Sequence, residues 1–190
     1  MRERKETINI VTANVWGLVL LAVAAVAGTA YYIAVSRALG LGGLTRIHFG
    51  GEHLWSPLLW LAIYMAVMVA GIVAHELVHG ITWAHYAKNG WKSISFGVMW
   101  KLLTPYCHCS EPLRVSHYRT GALMPLYVLG LLPLLVSPFV RSMEMCVFGM
   151  FFISAAAGDL MIVWRLRKEA PSSTVLDHPT EAGYLVYEQE

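Results

Sequence analysis

The chain has 190 residues, of which 57% are hydrophobic and only 14% charged, and its net charge is +2. Charges this sparse, separated by long apolar runs, exclude an ordinary soluble globule and place the chain with integral membrane proteins. The basic residues border the apolar runs and form no stripe with aromatics, which excludes a nucleic-acid-binding surface.

The length predicts a single domain over residues 1–190. Residues 1–9 are polar and carry Arg2, Arg4 and Lys5. No charge follows from Ile10 to Ser36, and no A-x-A exit marks a cleavable signal, so a retained membrane helix is predicted over 15–35. Ala22, Ala24, Ala25, Ala27 and Gly28 would allow another helix to approach it closely. A glycine-punctuated loop over 37–53 holds Arg46, His48 and His53.

The second span is predicted over 57–81. Trp55 suits the interface, Ser56 can cap the helix, and Pro57 fits its first turn. Ala62, Ala66, Ala70 and Ala74 recur every four residues, a smooth ridge for helix packing, with Gly71, His75 and His79 in the adjacent row.

Residues 85–120 form a polar connection long enough to carry structure of its own. Ile94, Phe96, Val98 and Trp100 alternate with small or polar residues, as in a strand, and Pro105 and Pro112 bracket Tyr106-Cys107-His108-Cys109. A small β-hairpin or a re-entrant element is expected there.

The third span, 121–140, contains Pro125, Gly130, Pro133 and Pro138, which predict a kinked or broken helix. The fourth, 145–164, is closed by Arg165, Arg167 and Lys168, and a polar tail fills 165–190. The fold class is therefore an all-α membrane protein of about four transmembrane helices, with a small cytoplasmic β/loop element between the second and third.

For four spans, one set of alternate loops and tails carries 11 Lys and Arg and the other carries 3. The positive-inside rule then puts both termini and the 85–120 connection in the cytoplasm of a multi-pass cell-membrane protein. Cys107 and Cys109 would lie in a reducing compartment, without a disulfide. Cys146 reads as a packed apolar residue near the outer face.

The chemistry concentrates at His75-Glu76-Leu77-Val78-His79, an H-E-x-x-H motif near the end of the second span. One helical turn separates the two imidazoles, so both can bind one metal ion. Glu76, rotated by about 100° from His75, can stand beside the ion as a general base without being a ligand.

A catalytic zinc wants three protein ligands and an open position. Asp159 is the acid embedded in a hydrophobic span away from its ends, where a lone charge costs about 2.5–3.5 kcal/mol on insertion scales. Counted at 1.5 Å per residue, Asp159 lies roughly 21 Å from the outer side and His75 roughly 25 Å, nearly the same level. Gly158 and the preceding alanines would let the fourth helix approach the alanine ridge of the second.

His85 competes for the role, since it follows His79 by six residues as in longer zinc motifs. Thr82 stands where those motifs turn on glycine, and an unbroken helix rotates His85 roughly 240° away. Glu111, His108, His117, Asp177 and His178 read as solvated or supporting residues. The spacing of Cys107-His108-Cys109 is too tight for a normal zinc knuckle. Two imidazoles and a carboxylate suit zinc, and also iron or cobalt.

His75–His79 near one end of a membrane helix, with Gly158-Asp159 in a later one, resembles the site-2 protease clan of intramembrane zinc metalloproteases. More closely, residues 60–180 resemble the zincin peptidase family of small microbial membrane proteins, through this motif, Glu111-Pro112-Leu113 and Asp177-His178-Pro179. The resemblance implies that His75, His79 and Asp159 bind Zn2+ and that Glu76 activates water. It departs at the third ligand: Asp159 follows Gly158 and precedes Leu160, where the better-known members carry an Asn-Pro-Asp-Gly type motif.

The expected function is hydrolysis of peptide bonds in membrane-associated proteins or peptides, with the bilayer as the other partner. The rival is a non-catalytic membrane protein that holds or passes a metal ion, or a scaffold. Glu76 argues against it, because a purely structural site has no use for a base.

Overall fold

The computed structural model describes residues 2–41, 56–100, 104–178 and 181–188. The loop with Arg46, His48 and His53, together with Trp55 and Pro179, lies outside the described residues. Strand β1 (Arg2–Thr7) leads through two residues into helix α1 (Ile10–Ala38). The Asn9 side chain starts that helix by accepting the Thr12 N–H at 3.1 Å. Helix α2 (Ser56–Tyr86) follows, with Pro57 in its first turn as expected.

Gly90, at φ +58°, turns the chain into a hairpin of β2 (Ile94–Met99) and β3 (Thr104–Cys109). Of the two expectations for this connection, the hairpin is the one found. A short β4 (Leu113–Arg114) precedes α3 (Val115–Pro125), which runs through a π-helical stretch at Leu126–Leu131 into α4 (Leu132–Val136). Then come α5 (Met143–Ala155), α6 (Ala157–Leu166), β5 (Thr174–Asp177) and β6 (Gly183–Glu188).

Among the described residues, three helices are long and apolar enough to cross a membrane: α1, α2, and the run Val115–Val136. The fourth apolar segment is two helices, α5 and α6, bent by 45° at Ala156, which meet the same criterion only as a pair. The helices exceed the predicted spans where polar residues join them. α1 gains a turn or so at each end, α2 runs on to Tyr86, and α3 starts six residues early, at Val115.

The proline-rich third span is interrupted as expected, by π geometry between Pro125 and Pro133. Close packing accompanies it. A Cβ placed on Gly149 of α5 would come within 2.7 Å of the Gly130 carbonyl oxygen and the Leu134 nitrogen, so glycine lets the two backbones nearly touch. Cys146 is buried in this cluster with Tyr32 and Met150, packed as expected.

Two features differ from the reading of the sequence. First, the polar ends are not plain tails. β1, β6, β5 and β4 form a four-stranded sheet, antiparallel throughout, in which β1 pairs with β6 over six residues from Arg2–Glu188 to Thr7–Gly183. Its buried side chains Val175, Tyr184 and Val186 pack with Trp83, Tyr118 and Leu166 into a second core at the ends of the helices. Second, the alanine ridge is not the packed face of α2. Ala62, Ala66 and Ala70 are exposed, and the buried row is Gly71, His75, His79 and Trp83. The rings of Phe148 and Phe152 fill the notch at Gly71. Bulky aromatics against a glycine bury more apolar area than alanines facing each other, so packing selected the histidine row itself.

Candidate metal centre and its cavity

His75 and His79 share one face of α2, one turn apart, with ring centroids 4.9 Å apart and planes nearly perpendicular. Asp159 enters from the first turn of α6, just past the bend. Its Oδ2 lies 3.2 Å from His75 Nε2, and its Oδ1 lies 3.4 Å from His79 Nε2. One ligand atom from each residue falls within 4.8 Å of the others, and among the described residues this is the cluster able to hold a metal ion. The depth match read from the sequence thus corresponds to contact, but not through the expected surfaces. Gly158 points away from α2, and a Cβ there would meet only Ile8 Cδ1, at 3.9 Å.

The polar atoms fit a cation. His79 Nδ1–H donates to the Gly121 carbonyl at 2.9 Å, so the Nε2 of a neutral ring offers its lone pair to Asp159. His75 Nδ1 is buried without a hydrogen-bond partner, and its ring is held by stacking on Phe152 at 6.2 Å. His79 Nε2 and the Asp159 carboxylate therefore face each other as acceptors in a largely buried space, which costs free energy unless a positive charge lies between them. The His75 ring, which no partner on Nδ1 commits to one tautomer, can turn an Nε2 lone pair to the same point. This donor set is that of a catalytic zinc.

The supports of the site form a closed circuit. Trp83 stacks under His79 at 5.0–5.1 Å spacing that continues to Tyr118, and its Nε1–H donates to the Tyr118 carbonyl at 3.1 Å. The Tyr118 hydroxyl donates to Asp177 Oδ1. Asp177 Oδ2 accepts the Cys109 N–H of β3 at 2.8 Å, with His108 Nδ1 3.8 Å away. Two residues back along β3, the Cys107 N–H faces the carboxylate of Glu76, which returns the circuit to α2.

These bonds fix which edge of β3 faces the site. Ser110 N–H donates to the Ser93 carbonyl at 2.8 Å, extending the β2–β3 ladder by one pair. In an antiparallel pair, alternate residues turn their main-chain groups towards and away from the partner strand. His108 and Tyr106 therefore face β2, whereas Cys109, Cys107 and Pro105 face outwards, as the bond from Cys109 N–H to Asp177 confirms. That outer edge borders a cavity of about 640 Å³ that also holds His75, Glu76, His79 and Asp159.

The remaining expected residues separate by role. His85 is exposed and packs edge-on against Tyr86, off the site as the helical rotation requires. His117 stacks on the same tyrosine at 4.1 Å. Glu111 ties the hairpin to the end of α2, accepting from Ser93 Oγ at 2.6 Å, Lys88 N at 2.8 Å, Asn89 N at 3.0 Å and the Asn89 side chain. The Ser93 hydroxyl leads these donors in holding its carboxyl below the usual carboxylate range.

Asp177 is buried rather than solvated; burial pushes its carboxyl up, while the Tyr118 hydroxyl and Cys109 N–H pull it down. Cys107 and Cys109 are free thiols, and burial pushes Cys109 up to about 11 and Cys107 higher still, so both stay protonated at neutral pH. Tyr118 and Gly121 had no signal in the sequence beyond their residue types, whereas Trp83 was findable, four residues after His79 on the same face.

A family model described as "Putative zincin peptidase" matches residues 67–174, from the middle of α2 to the start of β5. No curated protein and no solved structure matches the chain. The matched segment is more than half of the chain and contains both histidines, Glu76 and Asp159. The chain belongs to this zincin peptidase family, a relationship that implies zinc binding and metallopeptidase activity.

Proposed function

We propose that the chain is a membrane-embedded zinc endopeptidase of the site-2 protease type, acting on membrane-associated proteins or peptides. The observation that carries this reading is the meeting of Asp159, from an apolar segment, with both histidines of the H-E-x-x-H motif, beside Glu76 on one cavity. His75, His79 and Asp159 would hold the zinc. When bound, zinc lowers the pKa of a water to about 7 and polarises a carbonyl.

Glu76 is placed to take the proton of the attacking water and pass it to the leaving amine. It is next to a ligand but turned from the triad, and the Cys107 N–H steadies its carboxylate. The outer edge of β3 offers the Cys107 and Pro105 carbonyls to an extended peptide, which would add to the hairpin as a third strand. A helical substrate segment would have to unwind first, because a helix already uses its own peptide groups. The distribution of Lys and Arg supports a four-span arrangement, α5 and α6 forming one bent span, with both termini in the cytoplasm.

The test is zinc content and cleavage of a quenched fluorescent peptide library by the detergent-purified chain. Wild type and Glu76→Gln should each hold about one zinc per chain, and only wild type should cleave. Cleavage that survives Glu76→Gln overturns the mechanism. Full zinc with no cleavage by wild type, together with zinc flux across liposomes, would favour the metal-passing rival.

A further inference from the structure

The cavity has a wall that neither the triad nor Glu76 uses. Ile10, Asn14 and Leu18, four residues apart on α1, line it as well. The adjacent row of α1, Ala13 and Gly17, is buried; a Cβ on Gly17 would lie 3.4 Å from the Ser154 carbonyl oxygen and 3.7 Å from Ala157 Cβ. Ile8 touches the chain at Gly158. Asn14 lies between these two positions along the chain and borders the same cavity as the histidines and Asp159.

Asn14 is the one carboxamide within α1, and its side chain is exposed and makes no hydrogen bond among the described residues. An amide turned to lipid leaves its donors and acceptor unpaired at a cost, whereas one turned to a wet cavity does not. A carboxamide also carries one acceptor and two donors, the complement of a peptide group. A peptide laid along β3 would satisfy one side of its main chain there. Its other side would point away from β3, with unpaired N–H and C=O groups.

We propose that Asn14 is a substrate-binding residue, whose carboxamide hydrogen-bonds the outward-facing main chain of an extended peptide held between α1 and the edge of β3. The proposal rests on the peptidase reading above. It assigns α1 a part in recognition: Asn14 selects for an unwound peptide main chain over a helical one, whatever the side chains.

The test uses the full-length, zinc-loaded chain in detergent and two probes. Acetohydroxamate reaches only the metal, whereas a hydroxamate carrying a tetrapeptide also lies along the cleft. Asn14→Ala and Asn14→Leu should weaken the tetrapeptide hydroxamate by about tenfold, the worth of one main-chain hydrogen bond. They should leave zinc content and acetohydroxamate affinity unchanged. Unchanged tetrapeptide affinity in both variants overturns the proposal. So does a parallel loss of zinc and of both probes, which would make Asn14 structural. If wild type neither holds zinc nor binds acetohydroxamate, the peptidase reading itself has failed, and this inference fails with it.

Discussion

Gly121, not Gly158, is the glycine on which the metal centre depends. Gly158 precedes a ligand in the sequence and looks indispensable. Yet a Cβ there would meet one atom, Ile8 Cδ1, at 3.9 Å, an ordinary contact. At Gly121 a Cβ would fall 2.9 Å from Trp83 Cε2 and closer still to its Nε1 and Cδ1. The indole cannot swing clear, because it is buried, stacked between His79 and Tyr118, and bonded to the Tyr118 carbonyl. Overpacking of this kind costs about 1–3 kcal/mol.

The displacement also moves the Gly121 carbonyl against His79 Nδ1, the bond that fixes the ligand's tautomer, and such partners typically govern 10–100-fold in metal affinity. Gly121→Ala should therefore weaken zinc binding by about 10–100-fold and lower the melting point in detergent. Gly158→Ala should hold zinc like wild type and gain up to about 1 kcal/mol from helix propensity. Zinc affinity is read by competition with a chelator. Wild-type affinity in Gly121→Ala, or a larger loss in Gly158→Ala, would refute the argument that His79 is held from behind by α3.

Two further outcomes concern the hairpin. Because its hydrogen bonds depress the Glu111 carboxyl in the folded state, its stabilisation is present at neutral pH and is lost as pH falls through the usual carboxylate range towards the lowered folded value. Hydrogen exchange of residues 88–110, corrected for intrinsic rates, should show protection falling with acidification in wild type and a flatter profile in Glu111→Gln; identical profiles would remove Glu111 as the anchor. Asp177→Ala leaves the Tyr118 hydroxyl and Cys109 N–H buried without their acceptor, whereas Asp177→Asn keeps an acceptor oxygen, so the alanine variant should be about 1–3 kcal/mol less stable than the asparagine one. Equal thermal stability of the two in detergent would mean that the pair finds another acceptor.

The sequence showed the site more clearly than the packing around it. The expense of an ionisable residue in an apolar run made Asp159 conspicuous, and helical spacing paired His75 with His79 and dismissed His85. Small residues were less informative. Ala62, Ala66 and Ala70 have the spacing of a packing ridge, but spacing does not say what stands opposite, and the Phe148 and Phe152 rings chose Gly71 instead. The terminal sheet was hidden for a different reason. β1 is six polar or charged residues with no alternation to betray a strand, and its partner β6 lies at the other end of the chain. A ladder between segments so far apart leaves no local pattern; only the buried Tyr184 and Val186 of β6 mark one side of it.

That sheet matters to the cavity although it contributes none of the three candidate ligands. Only Ile8 and Asn9 separate β1 from α1, and Ile8 N–H donates to the Ala182 carbonyl at 2.9 Å, so pairing of β1 with β6 fixes where α1 begins. Glu6 meets Arg165 at 3.0 Å, and Arg4 meets Glu169, which ties the same strand to the end of α6. Exposed ion pairs contribute only about 0–1 kcal/mol each, so they set register more than strength. The strength comes chiefly from Val175 and Val186, whose full burial contributes about 1.5–3 kcal/mol apiece before entropy. β5 carries Asp177, which holds β3 through Cys109. One sheet therefore sets α1, with Asn14, and the edge of β3 at fixed positions about the cavity, while the three candidate ligands themselves come from α2 and α6. On the function proposed, the groups that would hold the metal and those that would take a peptide thus come from different parts of the fold, so the second can be altered while the first is kept.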